Sequence, residues 1–546
     1  MATPKMEGDS IQADHVETGQ IEQVTDVVVD DDDDNVSVRS EALGDDLPDK
    51  YFSSWRFILL VIGFGLTAMS ANMFVIMPTN ILTYINQDIG PSPYISWVNI
   101  ARTLSLAFAY TIMGRLSDLF GRRWFYLIGN AIALLGIVVS ATAQNVNSLI
   151  IGAAVAGLGE TVQLSFNVAL GELVPNKYRP LVISLIFLMT APFSTFGPTL
   201  ARYFVSHPNM GWRYCYFINI AATTLAIILL FICYHPPTFD LLHQRKTKRQ
   251  ILKQLDFVLF VYESKMDLNY PVIPVRLFRN RGFISLMFYY SALLLWPQQI
   301  SRFFTTDIHY AGWLSTTVAS STVLGQICAG AIIRWAGNVR YWTIFSACAM
   351  CTFVGALAAL TPERKGMGIA FTIVGPFFVG FIELASLSLA PLFCKGSDIG
   401  LASGLLSSIR SAGSSVSVAI YVAILNNRLS TTLTQNIEAV APGAGIPEDE
   451  IPAIVKAVIA GSLAKMSGLN SAMLNAVTGI IPTAYSQAFK TVYLASLAFG
   501  GIAIVMSLFS KDVQKHLTDK VERKMHGRRV NKALPDTKKE VDSKTD

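Results

Sequence analysis

Hydrophobic positions do not alternate or recur at a surface-helix period along most of this chain. They run on for about twenty residues at a time, break at short polar stretches, and resume. A helix needs about 20 mainly apolar residues to cross the hydrocarbon core of a bilayer. Twelve segments meet that length, near 57–77, 96–113, 124–143, 148–168, 181–204, 213–234, 283–300, 312–333, 342–360, 367–391, 400–424 and 488–509. An even number of crossings puts both tails on one side of the membrane. The pattern divides the chain into an acidic tail (1–54), a first set of six helices (55–235), a polar linker (236–282), a second set of six (283–510) with a long loop at 428–487, and a basic tail (511–546). The predicted fold class is therefore an all-α integral membrane protein.

Composition supports this reading. Hydrophobic residues make up 52% of the 546, charged residues only 15%, and the mean hydropathy is +0.44, far from a soluble globular balance. The formal net charge of +5 is unevenly placed. Asp30 to Asp34 stand consecutively in the first tail, whereas Lys511, Lys515, Lys520, Arg523, Lys524, Arg528 and Arg529 follow the last helix. Both tails read as solvated and disordered. Basic residues also crowd the predicted loops 2–3, 4–5 and 8–9 and the central linker, all on the side of the tails. The excess of Lys and Arg assigns that side to the cytoplasm, and Arg364 and Lys365 are the exception. No signal peptide precedes the first apolar run, so its helix acts as the anchor. The predicted location is the plasma membrane, with both termini cytoplasmic, lipid as an obligatory partner and no nucleic acid. The six cysteines lie in or beside apolar segments and form no disulfide framework. The seven histidines show no pair at helical spacing, and neither a metal nor another cofactor is expected.

Between the second and third segments stands Gly114-Arg115-Leu116-Ser117-Asp118-Leu119-Phe120-Gly121-Arg122-Arg123. Positive-inside charge accounts for its arginines but not for the Gly-x3-Asp-x2-Gly frame. That frame reads as a tight turn, with Gly114 and Gly121 supplying the backbone freedom and Asp118 capping the next helix or pairing with an arginine. Gly330, Arg334 and Gly337 repeat the spacing after the eighth segment, with Arg334 in place of the acid. The two halves read as a duplication that rocks about a site near the bilayer midplane, for which one copy of the chain suffices.

The Gly114–Arg123 stretch resembles the loop 2–3 signature of the major facilitator superfamily, GxLaDrxGrr. Further stretches are similar to the fungal trichothecene efflux pumps and siderophore iron transporters. They include Gly171-Glu172-Leu173-Val174-Pro175-Asn176-Lys177-Tyr178-Arg179, Gly211-Trp212-Arg213, Leu294-Leu295-Trp296-Pro297-Gln298-Gln299, Gly375-Pro376-Phe377-Phe378-Val379-Gly380 and Ser408-Ile409-Arg410-Ser411-Ala412-Gly413. The resemblance runs from about residue 55 to 510. It implies two pseudo-symmetric six-helix bundles and proton-coupled export of a small amphipathic toxin, driven by the proton gradient without a cofactor. Siderophore-iron import on the same fold is the alternative. A sensor built on a transporter fold fits less well, because the tails are short. An enzyme is not expected, since no nucleophile elbow or phosphate loop is present. The resembled family usually carries fourteen helices. Here Leu255-Asp256-Phe257 and Tyr262-Glu263-Ser264 look like the two ends of the extra hairpin with only Val258 to Val261 between them, too few residues to cross a bilayer.

A charge inside the bilayer costs at least about 2.5–3.5 kcal/mol and marks a functional candidate. Four qualify: Arg102, Glu160, Glu383 and Arg410, in segments 2, 4, 10 and 11. A carboxyl in a low dielectric holds its proton more tightly, as exchange with a proton gradient requires. Glu383 or Glu160 is the expected proton carrier, with Arg410 as the partner of Glu383 and Arg102 either neutralising Glu160 or binding an acidic ligand; a static ion pair that locks helices together is the other reading. Glu172 and Arg179, flanking loop 4–5, are expected to pair with Arg115, Asp118 or Arg122 as a cytoplasmic latch. Gly197-Pro198 resembles half of the antiporter motif gxxxGPxxGG, with Phe193 and Ala201-Arg202 replacing the other glycines, and reads either as that motif or as a plain kink. Phe187, Phe193, Phe196, Tyr289, Tyr290, Trp296, Phe377 and Phe378 are candidates to line an apolar pocket.

Overall fold

The computed structural model describes residues 51–236 and 295–508, apart from positions 91, 93, 96, 121, 208–209, 306, 390–391, 393–398, 445, 461–462 and 464–470, and adds residues 27–28 and 38–39 of the acidic tail. The linker with its shortened hairpin, the basic tail and most of the predicted seventh helix lie outside the described residues. In the acidic tail Val27–Val28 (β1) pairs antiparallel with Val38–Arg39 (β2).

The first half consists of α1 (Trp55–Asn80), α2 (Leu82–Asp88), α3 (Trp97–Phe120), α4 (Arg122–Ala141), α5 (Val146–Gln163), α6 (Phe166–Leu173), α7 (Arg179–Ser206) and α8 (Arg213–Cys233). The second comprises α9 (Trp296–Phe303), α10 (Ile308–Trp335), α11 (Val339–Ala356), α12 (Lys365–Leu389), α13 (Ile399–Ala444), α14 (Ile451–Ala460) and α15 (Ser471–Leu508). Among the described residues ten helices are long and apolar enough to cross a membrane. α3, with Asn99 and Arg102 inside it, has the length and less of the apolarity.

Two expectations change here. Residues 114–120 are helical and end α3, so Gly114 is a helix residue, and α4 begins at Arg122. The stretch 428–487 is not one long loop. α13 continues to Ala444, α14 occupies part of the remainder, and α15 begins at Ser471. At 1.5 Å per residue α13 is about 69 Å long, more than twice the hydrocarbon thickness. Its upper part is held by a stripe of Leu425, Leu429, Leu433, Ile437 and Ala441, all buried, which packs with Ile454, Val455 and Val458 of α14 and with Val477, Tyr485 and Phe489 of α15. That stripe recurs every four residues among polar neighbours, so mean hydropathy falls while the helix persists.

The halves meet along two seams, α3 against α13 and α7 against α10. Gly330 lets α10 approach α7 closely, since a Cβ there would stand 2.8 Å from the Pro180 carbonyl. One apolar core joins both halves at the end that carries the Gly114–Arg123 motif, with Phe166, Leu170, Ile183 and Phe187 from the first half and Ile333, Phe381, Leu384 and Leu387 from the second. At the opposite end each half keeps a core of its own.

Candidate functional site

The four intramembrane charges form two ion pairs. Arg102 on α3 places Nη1 2.8 Å from both carboxylate oxygens of Glu160 on α5. Gly157, one turn before Glu160, makes this reach possible, because a Cβ at that position would lie 2.6 Å from the Arg102 carbonyl. Arg410 on α13 donates from Nη1 to Glu383 Oε1 on α12, and Gln326 on α10 donates from Nε2 to the other oxygen, Oε2, at 3.0 Å. Tyr110, buried on α3, lies within electrostatic range of all four charged groups. One residue on, Thr111 shares a 2.8 Å hydrogen bond with Ser408, which also donates to the Ala107 carbonyl. Both pairs therefore sit beside the α3–α13 seam, where the two halves touch.

The pairs differ in access. The side chains of Arg102 and Glu160 are 16% and 5% exposed, those of Arg410 and Glu383 28% and 27%. Glu383 is thus the more accessible of the two carboxylates, whereas Glu160 is enclosed by its own helices in this conformation. Proton transfer to Glu383 would remove the charge that holds Arg410 and free that guanidinium for another acceptor.

At the motif end Arg122, 1% exposed, pairs with Glu172 at 2.7 Å. Arg179, equally buried, donates to the Gly171 carbonyl, which ties the start of α7 to α6. Arg123 donates to the Phe231 carbonyl at the end of α8. The side chains of Arg115 and Asp118, and position 121, lie outside the described residues. Arg334, which replaces the acid in the second copy of the motif, stacks its guanidinium 4.7 Å over the Tyr178 ring of the first half. The degenerate position thus makes a contact between the halves in place of an ion pair within one.

Gly197 packs α7 on α1, with Ile76 and Met77 at 3.2 and 3.4 Å from the position of an added Cβ, and α7 runs unbroken through Pro198. Arg202, standing where the antiporter motif has glycine, reaches across to Gly312 of the second half. Trp296 is not a pocket residue: it is fully buried in the second half's core and donates to the Leu314 carbonyl. Phe196 is half exposed and meets Trp313 edge to face. Sequence reasoning missed Gln326 and Tyr110. Both are uncharged, and only their position among apolar residues on helices later found at the seam marks them.

Comparison with known proteins agrees with this architecture. The model of the Major Facilitator Superfamily matches residues 60–418. Similar curated proteins include a trichothecene efflux pump of Fusarium sporotrichioides, 23% identical over 89% of this chain and 91% of its own. A trichothecene efflux pump of Trichoderma arundinaceum is 24% identical over 90% and 93%, and an MFS-type transporter of Penicillium rubens 26% identical over 71% and 81%. Among solved structures, the human organic anion transporter MFSD10 superposes with a TM-score of 0.52 at 12% identity, covering 81% of this chain and 98% of that one. The proton:xylose symporter XylE gives 0.52 at 13% identity, over 82% and 96%. At such identity these two speak for the fold alone. With a family model spanning most of its length, two helical halves and a charged seam between them, the chain belongs to the major facilitator superfamily and is a multi-pass membrane transporter, not an enzyme.

Proposed function

We propose that this transporter exports small amphipathic toxic molecules, trichothecene-like compounds or other secondary metabolites and xenobiotics, in exchange for protons, by alternating access across the plasma membrane. The observation that carries the proposal is the Glu383–Arg410 pair, partly open at the seam between the halves. The relatives named as trichothecene efflux pumps support the direction and the substrate class. A further relative is named as an MFS-type efflux pump, also from Fusarium.

The cycle follows from the charges. A proton from the acidic outer side neutralises Glu383 and loosens Arg410. The second half then loses the attraction that ties α13 to α12, and the halves rock so that the motif end opens. Release of the proton to the cytoplasm restores the pair and accompanies capture of substrate. At the motif end Arg122–Glu172 stiffens the first half, and Arg334 on Tyr178 holds the second half to it, so this end acts as the cytoplasmic gate. Arg102–Glu160 is the deeper pair, a reserve proton site or a brace. Both termini face the cytoplasm, the chain works as a monomer, and lipid surrounds it.

Cells expressing the chain should retain less of a labelled trichothecene than control cells and survive higher doses of it. Faster uptake of a ferric siderophore, with unchanged trichothecene retention, would replace this reading with import.

A further inference from the structure

Gln326 is 4% exposed, and its amide is committed on one side only. Gly380, one turn before Glu383, lets α12 lie against α10, where an added Cβ would stand 3.0 Å from the Gln326 backbone nitrogen. At that approach Gln326 Nε2 donates to Glu383 Oε2. The carboxylate accepts and cannot donate, so it fixes the amide with its N–H toward Glu383. The amide oxygen Oε1 is buried and has no hydrogen-bond partner among the described residues. A buried acceptor left unmet is unfavourable until a donor arrives.

We propose that Gln326 Oε1 receives a hydroxyl of the transported molecule, and that the proton on Glu383 competes with that hydroxyl for the same acceptor. The inference rests on the export reading and extends it to the substrate's chemistry. Once protonated, Glu383 carries an O–H that needs an acceptor. Arg410 offers only donors. A half-turn of the Gln326 amide presents Oε1 to the acid and removes it from the substrate. The other charged and titratable groups at this seam are Tyr110, Arg102 and Glu160 from the first half; Arg102 and Glu160 are engaged with each other. One acceptor therefore serves two mutually exclusive donors. Proton and substrate alternate at the site, as exchange demands, and neutral molecules with a free hydroxyl are preferred over the same molecules without one.

The test is equilibrium binding to the full chain in lipid nanodiscs, with a hydroxyl-bearing trichothecene and its O-acetylated derivative as probes, at pH 8 and pH 5.5. The wild type is expected to bind the hydroxyl compound about tenfold tighter at pH 8 and to show less preference at pH 5.5. Gln326→Met should abolish the preference at both pH values, so that the two compounds bind with like affinity. Glu383→Gln, whose amide can itself donate to Gln326, should show a weak, pH-independent preference. A preference that survives in Gln326→Met, or that is unaffected by pH in the wild type, overturns the inference. Export of both compounds alike by wild type and Gln326→Met overturns it while leaving export itself standing. Failure of the folded wild type to bind or export either compound overturns both.

Discussion

At the scale of single residues, the two ion pairs should respond differently to substitution. Arg102 and Glu160 are almost sealed, so removing one partner strands a buried charge, at a cost of about 3–5 kcal/mol, whereas removing both leaves little to compensate. Arg102→Leu should therefore lower the thermal unfolding midpoint markedly, and adding Glu160→Leu should restore most of it. A double variant no more stable than the single would mean that the pair does not form. Arg410→Gln should cost less stability, because Glu383 is only partly buried and keeps its hydrogen bond from Gln326, and should instead reduce gradient-driven transport about tenfold. The four charges were legible in the sequence because a bilayer makes every ionisable side chain conspicuous. Gln326 was not, since serine, threonine and glutamine recur along these helices and only the close approach at Gly380 singles this one out. Arg334 was read as a lapse in the repeat; its contact with Tyr178 depends on the neighbouring half, which no local pattern reports.

At the scale of elements, hydropathy located the helices wherever lipid is their surroundings and failed where protein is. α13 and α15 outrun their predicted ends because their upper parts are buried against each other and α14, so their apolar residues follow a narrow helical stripe. Leu433, fully buried in that stripe, tests the point: Leu433→Ala should cost about 2–5 kcal/mol in unfolding measurements, as for a core leucine. Loss of less than about 0.5 kcal/mol would place the stripe on an exposed loop instead. The motif at 114–123 was legible as a signature but not as a conformation. Glycine suggested a turn at Gly114, yet helical neighbours on both sides carry the chain through it.

At the scale of the whole molecule, the shared core at the motif end and the separate cores opposite describe a transporter closed on one side. Cysteines placed at Thr111 and Ser408, whose hydroxyls meet at 2.8 Å across the α3–α13 seam, should cross-link in a background without other cysteines, stop transport, and release it again on reduction. Cross-linking without effect on transport would mean that this seam need not part. The helical halves were legible from segment length; the conformation was not, because the same helices serve every state of the cycle. The central claim is that Glu383 exchanges the proton that drives export. Its most direct test is accumulation of a labelled trichothecene by inside-out vesicles with an acidic lumen, comparing the wild type with Glu383→Gln. Accumulation that disappears with a protonophore and in the variant is the predicted result; accumulation that persists undiminished in Glu383→Gln, or that ignores the proton gradient, contradicts it.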